Sequence, residues 1–194
     1  MGDTTLNEQL IFLKEIDALK GVERASPIID KTRRENSAEH SWHLAMYALV
    51  LGERPSSSIN IDRVIRMLLI HDIVEIDAGD APIHGASGKQ DQTELEEQAA
   101  SRLFGILPEG QGASLRILWE EFEAAQSEDA KYAKALDRLQ PLIQNVATGG
   151  GTWIDSNVTK TQVHERYGPT IKNGSKELWR KAEELVDTHF SNAR

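Results

Sequence analysis

Residues 71–75 read His-Asp-Ile-Val-Glu and lie at the end of the apolar run VIRMLLIHDIVEI. Unpaired charge is strongly disfavoured in a buried helix, so a histidine and two carboxylates placed there need a partner. A divalent metal ion is one solution, and a self-satisfied polar cluster is the other. On a helix His71 and Glu75 share a face while Asp72 stands one step round. If the helix ends near them, His71 and Asp72 reach one ion and Glu75 stands beside it as a base.

Two distant segments hold residues that extend this set. RRENSAEHSWH places His40 near the start of one helix, and KYAKALDRLQPL places Asp137 in the middle of another. Asp is a poor helix former, and its charge is costly if buried. Read singly, His40 also fits a helix surface, and Asp137 also fits pairing with Arg138 or Lys134 on a solvated face. As a set, two histidines and two aspartates from three helices suit a single divalent ion such as Mn, Fe, Co, Ni or Zn. The chain has no cysteine. That removes thiolate zinc sites, disulfides and a cysteine nucleophile, and agrees with a reducing, cytoplasmic setting.

The elements that must position these residues are read from periodicity, which is helical throughout, with no alternating strands. Leu6, Leu10, Leu13, Ile16 and Leu19 form an apolar stripe on a first helix that stops at Gly21. A second helix runs from Ser37, as N-cap, to Gly52, with Trp42, Ala45, Met46 and Leu49 along one stripe. Further helices are expected over Ile61 to Val74, 91–107, 112–126, 129–146 and Lys176 to Phe190. The segment DAGDAPIHGASGKQ is a loop directly after the doublet, TGGGTW is a flexible turn, and all four tryptophans are expected in core packing. The fold class expected is all-α, a bundle of about seven or eight helices.

A net charge of −9 and a pI near 5.2 argue against a nucleic-acid partner, whose backbone needs clustered positive charge. No apolar run approaches the roughly 18 residues of a membrane span, so no membrane partner is expected. The start shows no basic stretch followed by a continuous apolar one, so no secretory signal is expected.

Taken in order, LKGVER, RRENSAEHSW, HDIVEIDAGDAP and AKALDRLQPLIQN resemble the HD-domain superfamily of metal-dependent phosphohydrolases, with its pattern H…HD…D. Within it the chain is most similar to the bacterial 5′-deoxynucleotidase branch and its relatives, over roughly residues 10–150. The resemblance implies one HD-type domain over residues 1–194, its last part, about 151–194, a helical extension. It implies one divalent ion (Mn, Co, Fe, Ni, Zn or Mg) held by His40, His71, Asp72 and Asp137. It implies that Glu75 positions and deprotonates the attacking water, that Asp80 lies next to substrate and water, and that Arg24 contacts the phosphate side of the nucleotide. The implied reaction is hydrolysis of a small phosphate ester, a nucleoside or deoxynucleoside 5′-monophosphate.

Arg33 and Arg34, before the His40 helix, are further candidates for phosphate contact. His43 is read as packing behind the ligands, His84 as a loop residue, and His164 and His189 as surface residues. Two-metal members need additional histidines between the doublet and the final Asp, and His84 is the only one there, so a single metal follows. Two departures stand out. Ala25 follows Arg24 where those deoxynucleotidases usually carry an aromatic that shapes the sugar pocket, which leaves the choice between ribose and deoxyribose open. Position 76 is Ile, whereas alarmone-type pyrophosphohydrolases, the nearest enzymatic alternative, carry an acid there. The alternative from another class is a non-catalytic metal- or nucleotide-binding module, against which Glu75 and Asp80 speak. Members often pair through exposed helices, so a homodimer is the implied assembly, although the sequence marks no interface.

Overall fold

The structure is a computed structural model that describes residues 2–84 and 89–192. Helix α1 (Gly2–Glu15) runs into a 3-10 turn (Ile16–Gly21) and then a hairpin of β1 (Glu23–Pro27) and β2 (Arg34–Asn36). Helices α2 (Ser37–Leu51) and α3 (Ile61–Ile70) follow, then a 3-10 turn (His71–Val74) and the one-turn α4 (Glu75–Ala78). The remainder comprises α5 (Lys89–Phe104), α6 (Glu109–Ala124), α7 (Glu128–Ala147), the short α8 (Gly151–Asp155), α9 (Lys160–Gly174) and α10 (Lys176–Asn192). Setting aside the short α4 and α8, the described residues form eight helices in an all-α bundle, the class expected; seven of the eight lie where periodicity placed helices.

The hairpin was not legible as strands. β1 and β2 pair antiparallel, Glu23 opposite Asn36 and Pro27 opposite Arg34, with an irregularity between. Their turn contains Lys31 at φ 63° and is closed by Asp30, whose carboxylate accepts from the Thr32 backbone and hydroxyl. The hairpin matters because it aims Arg24 and the buried Glu35 inward.

Helix α2 begins one residue earlier than expected. Asn36, not Ser37, is the N-cap: its side chain accepts from the Glu39 N–H and the Glu39 carboxylate accepts from the Asn36 N–H. This capping box fixes the first turn of α2, which carries Ser37 and His40. The stripe of Trp42, Met46 and Leu49 is solvent-facing rather than buried, with Trp42 63% exposed; Leu44 and Ala48 face the core instead. Likewise Leu6, Leu10 and Leu13 of α1 are exposed, and Phe12 is the α1 side chain that buries. Trp119, Trp153 and Trp179 are core residues as expected.

Helix α3 buries Val64, Met67 and Leu68 and is N-capped by Asn60. The continuous helix expected to Val74 changes to a tighter 3-10 turn at His71, so the doublet sits on its own turn rather than on the end of α3. Helix α7 is the central strut, with twelve buried residues including Asp137 and Gln140. It packs against α2, α3, α6, α9 and α10. The glycine turn has all three residues at positive φ and leads into α8, which lies against α7 and β1. Helix α9, absent from the periodicity reading, starts with its own capping box of Thr159 and Gln162. Of the loop expected after the doublet, residues 77–78 complete α4, residues 85–88 lie outside the described residues, and α5 has begun by Lys89.

Two apolar clusters result. One gathers α2, α3, α7, α9 and α10; the other gathers Phe12, Leu19, Leu103, Phe104 and Trp119. Met67 and Leu68 belong to the first, Ile73 and Val74 to the second. The His71–Asp72 pair therefore lies at the seam, a polar position wedged between two dry cores.

Candidate metal centre

Each of the expected ligands arrives on a different support. His40 comes from the capped first turn of α2, His71 and Asp72 from the 3-10 turn, and Asp137 from the middle of α7. All four side chains are buried. His40, His71 and Asp72 offer donor atoms within 4.8 Å of one another. Asp137 Oδ1 lies 3.2 Å from His40 Nε2 and 3.7 Å from His71 Nε2, so it joins the same focus.

The second nitrogen of each ring settles which atom is free to ligate. His71 Nδ1 lies 2.9 Å from the Leu68 carbonyl, to which only an N–H can donate, so Nε2 carries the lone pair. That Nε2 is buried without a hydrogen bond, although Asp72 Oδ1 stands 2.9 Å away. At His40 the logic passes through Gln140. Its amide nitrogen donates to Glu35 Oε1 at 3.0 Å, which turns its oxygen toward His40 Nδ1 at 3.2 Å. His40 Nδ1 is therefore the donor, and Nε2 faces the aspartates. Two imidazole lone pairs and two carboxylates around a buried focus, one lone pair orphaned, fit a single divalent cation of the borderline or hard kind.

Around this focus lie the other expected residues. Arg24 Nη1 is 2.9 Å from Asp72 Oδ2, 3.5 Å from Asp80 Oδ1 and 3.7 Å from Glu75 Oε1. It thus stands among three carboxylates. Burial opposes its charge, yet Asp72, Asp80 and Glu75 bind its proton more firmly than usual. Glu75 Oε2 accepts from the Ser37 hydroxyl at 2.5 Å, which leaves Oε1 toward Arg24. Burial, with Asp72 beside it, pushes the Glu75 carboxyl up, against the pull of Arg24. Asp80 is raised by burial and held down in part by Arg24.

Two cavities meet here. The inner one, about 170 Å³, is lined by the doublet, Glu75, Asp80 and Asp137, with Lys134 and Arg138 at its edge. The outer one, about 260 Å³, shares Arg24, Asp80 and Arg138 with it and extends to Arg34, His84 and α8. Of the three candidate phosphate arginines, the structure brings Arg24 and Arg34 to the cavities. Arg33 is instead held by Glu39 in a two-pronged pair at 2.6 and 2.8 Å and lines neither. Sequence reading missed Gln140, Glu35 and Ser37, which orient ligands and base, and Arg138, which borders both cavities. Gln140 stands one turn after Asp137, a spacing that a search for residues behind the ligands finds.

The remaining histidines divide. His43 Nδ1 lies 3.5 Å from Gln140 Nε2 and its ring meets Tyr47 edge-on, so it backs the residue that orients His40. His84 lines the outer cavity beside Tyr167, its Nε2 buried without a partner. His164 and His189 are not free surface residues: each is half-buried against a tryptophan, Trp179 and Trp153 respectively.

Comparison with known proteins points the same way. A family profile described as an HD domain matches residues 16–179. The mouse protein named 5′-deoxynucleotidase HDDC2 is 32% identical over 136 residues, 70% of this chain and 67% of that protein. The human protein of the same name is 32% identical over the same length, so the chain spans about two thirds of these relatives, 65% of the human one. A 5′-deoxynucleotidase of Erwinia tasmaniensis is 27% identical over 74% of this chain and 77% of its own. Among solved structures, a protein of Magnetospirillum magnetotacticum described as a predicted metal-dependent phosphohydrolase superposes with a TM-score of 0.95 at 48% identity. That match covers 100% of this chain and 96% of the other.

Proposed function

The chain belongs to the HD-domain family, and from that premise we propose that it is a metal-dependent phosphohydrolase that cleaves nucleoside 5′-monophosphates to nucleoside and phosphate. The observation that carries this reading is the convergence of two imidazole Nε2 atoms and two aspartates on one buried focus, with Arg24, Glu75 and Asp80 beside it. The relatives named 5′-deoxynucleotidase supply the substrate class.

His40, His71, Asp72 and Asp137 would hold one divalent ion, which when bound would acidify water toward a pKa of roughly 7 and polarise a phosphoryl oxygen. Glu75 takes the proton of the attacking water on Oε1, its Oε2 being occupied by Ser37. Asp80, across Arg24, accepts the water's second hydrogen and orients its lone pair toward phosphorus. Arg24 neutralises charge on the equatorial oxygens, with Arg138 and Arg34 toward the outer cavity. The new bond joins the water oxygen to phosphorus, and the bond to the nucleoside 5′-oxygen breaks. That oxygen takes a proton from solvent through the open outer cavity.

A pyrophosphohydrolase of the alarmone type is disfavoured because position 76, acidic in that group, is an isoleucine that packs, partly buried, against the second apolar cluster. A silent binding module needs neither Glu75 nor Asp80. We further read residues 1–194 as one domain, because α9 and α10 share the core of α7. The proposed setting is cytoplasmic, in keeping with the lack of cysteine. No helix among the described residues is long and apolar enough to cross a membrane. The proposed macromolecular partner is a second copy of the chain, supported by the exposed apolar stripe of α2.

The test is phosphate release from ribo- and deoxyribonucleoside 5′-monophosphates by metal-stripped protein reloaded with Mn, Co, Mg or Zn. Metal-dependent turnover that vanishes in Asp137→Ala supports the reading. Tight metal binding without turnover of any nucleotide overturns it.

A further inference from the structure

Another cavity, of about 720 Å³, opens where α7 meets α9 and the start of α10. Lys131, Lys134, Arg138, Lys172 and Lys176 are five of the nine residues that line it, and none of the nine is acidic. In a chain where Asp and Glu outnumber Lys and Arg by 31 to 22, that is a marked local reversal of charge. Lys131, Lys134 and Arg138 recur three and four apart, so one face of α7 presents all three. Their side chains are only 25%, 17% and 34% exposed, so each has lost much of its water. Each has one acidic neighbour: Glu128 at 2.7 Å from Lys131, Glu123 at 3.0 Å from Lys134 and Asp137 at 3.8 Å from Arg138. Lys172 and Lys176 are exposed and have no ion-pair partner among the described residues.

Cations gathered around one concavity repel one another and raise the local concentration of anions. The ligand that suits five of them carries several negative charges on linked oxygens, which is the chemistry of a polyphosphate chain. Thr170 and Asn173 add hydrogen-bond donors to the wall, whereas no aromatic ring lines it, so the groove has no platform on which to stack a base. It reads phosphate alone. The groove also adjoins the metal centre, because Lys134 and Arg138 border the inner cavity as well. Lys134 Nζ lies 3.9 Å from the centroid of the Phe122 ring, and that ring meets His71 edge-on at 4.8 Å. An anion that recruits these two cations into the groove withdraws positive charge from the cavity where a substrate phosphate must bind.

We propose that the α7–α9 groove binds a linear polyphosphate, free or as the tail of a nucleoside triphosphate, and that its occupancy inhibits hydrolysis at the adjoining metal centre. The binding stands on the groove itself, and the inhibition rests on the nucleotidase reading above.

The test titrates tripolyphosphate and ATP into metal-loaded protein by calorimetry, with free metal held in excess. The wild type is compared with Lys172→Glu/Lys176→Glu and with the milder Lys172→Ala/Lys176→Ala, each checked for unchanged helical circular dichroism. The expected result is affinities for the two ligands within about threefold of each other, reduced at least about tenfold by the charge reversal and less by the alanines. Added salt should weaken binding to the wild type more than to either variant. In turnover of 2′-deoxy-AMP, tripolyphosphate should raise KM in the wild type with kcat little changed, and the charge reversal should largely abolish this effect while leaving the uninhibited rate as it was. Binding or inhibition of equal strength in all three proteins places the anion on the metal or in the substrate cavity and overturns the groove. ATP that binds far more tightly than tripolyphosphate overturns recognition by phosphate alone. Binding that the variants weaken, in a protein that turns over no nucleotide, keeps the groove and removes both the nucleotidase reading and the inhibition.

Discussion

The centre divides its work between atoms that touch the ion or substrate and atoms that fix how those groups point, and the two kinds fail differently. Replacing Glu75 by Gln keeps its shape and its bond from Ser37 but removes the base. The expected result is a loss of about 10²–10⁴ in kcat, with metal affinity within a few fold of wild type by competition titration. Retained turnover would assign the proton to another group. Gln140→Leu acts through His40: without the amide oxygen, the ring is free to flip or to carry its proton on Nε2. Metal affinity should fall about 10–100-fold while the helical circular dichroism stays unchanged. The proposed ligands and base stood out in the sequence because ionisable residues in an apolar run demand an explanation, and because a distant histidine and a mid-helix aspartate offer one. Gln140, Glu35 and Ser37 were not, because an amide, a carboxylate and a hydroxyl are unremarkable in polar segments until the fold buries them.

At the scale of elements, the site depends on where helices start and how closely they approach. The Asn36–Glu39 box sets the first turn of α2, and so the positions of both Ser37 and His40. Asn36→Ala should cost about 1 kcal/mol in urea unfolding and lower kcat together with metal affinity. Asn36→Asp, which still caps, should restore most of both. Helix α9 crosses α7 at Gly174, where an added Cβ would lie 2.5 Å from the Lys131 carbonyl oxygen and 2.6 Å from the Ala135 Cβ. Both neighbours are held by α7, so Gly174→Ala must push the helices apart, with an expected loss of about 1–3 kcal/mol in the same assay. An unchanged midpoint would show that the crossing relaxes freely. The long helices α3, α6 and α7 were legible from their periodicity. The hairpin was not, since ERASP and REN are short, partly polar and paired only through the backbone. Helix α9 was hidden by Pro169 and two glycines, which read as a loop; the helix carries Pro169 on an exposed face and seats Gly168 against Trp179 and Gly174 against α7. The α2 stripe misled because apolar periodicity identifies a face without saying what covers it.

That uncovered face is the unresolved demand at the scale of the whole molecule. Trp42, Met46, Leu49 and Val50 recur at helical spacing on α2 and are 63%, 39%, 60% and 74% exposed. Soluble monomers rarely leave such stripes open, and a large aromatic near the middle of an apolar patch is the usual anchor of an interface. A second copy suits it better than a charged partner. The stripe has no charge to complement, whereas the net charge of −9 gives each chain a repulsion that apolar burial must overcome. Added salt screens that repulsion and should therefore tighten the pair, opposite to the effect on an interface held by ion pairs. Light scattering after gel filtration at micromolar concentration should give twice the 21.6 kDa chain mass. Val50→Glu, in which a carboxylate meets its symmetry mate or an apolar neighbour, should give the single-chain mass with the metal centre intact. A wild type that remains monomeric at high salt removes the second copy as partner. A dimer that survives both Val50→Glu and Trp42→Glu moves the interface off α2, with the exposed Leu6, Leu10 and Leu13 of α1 as the next apolar stripe to test.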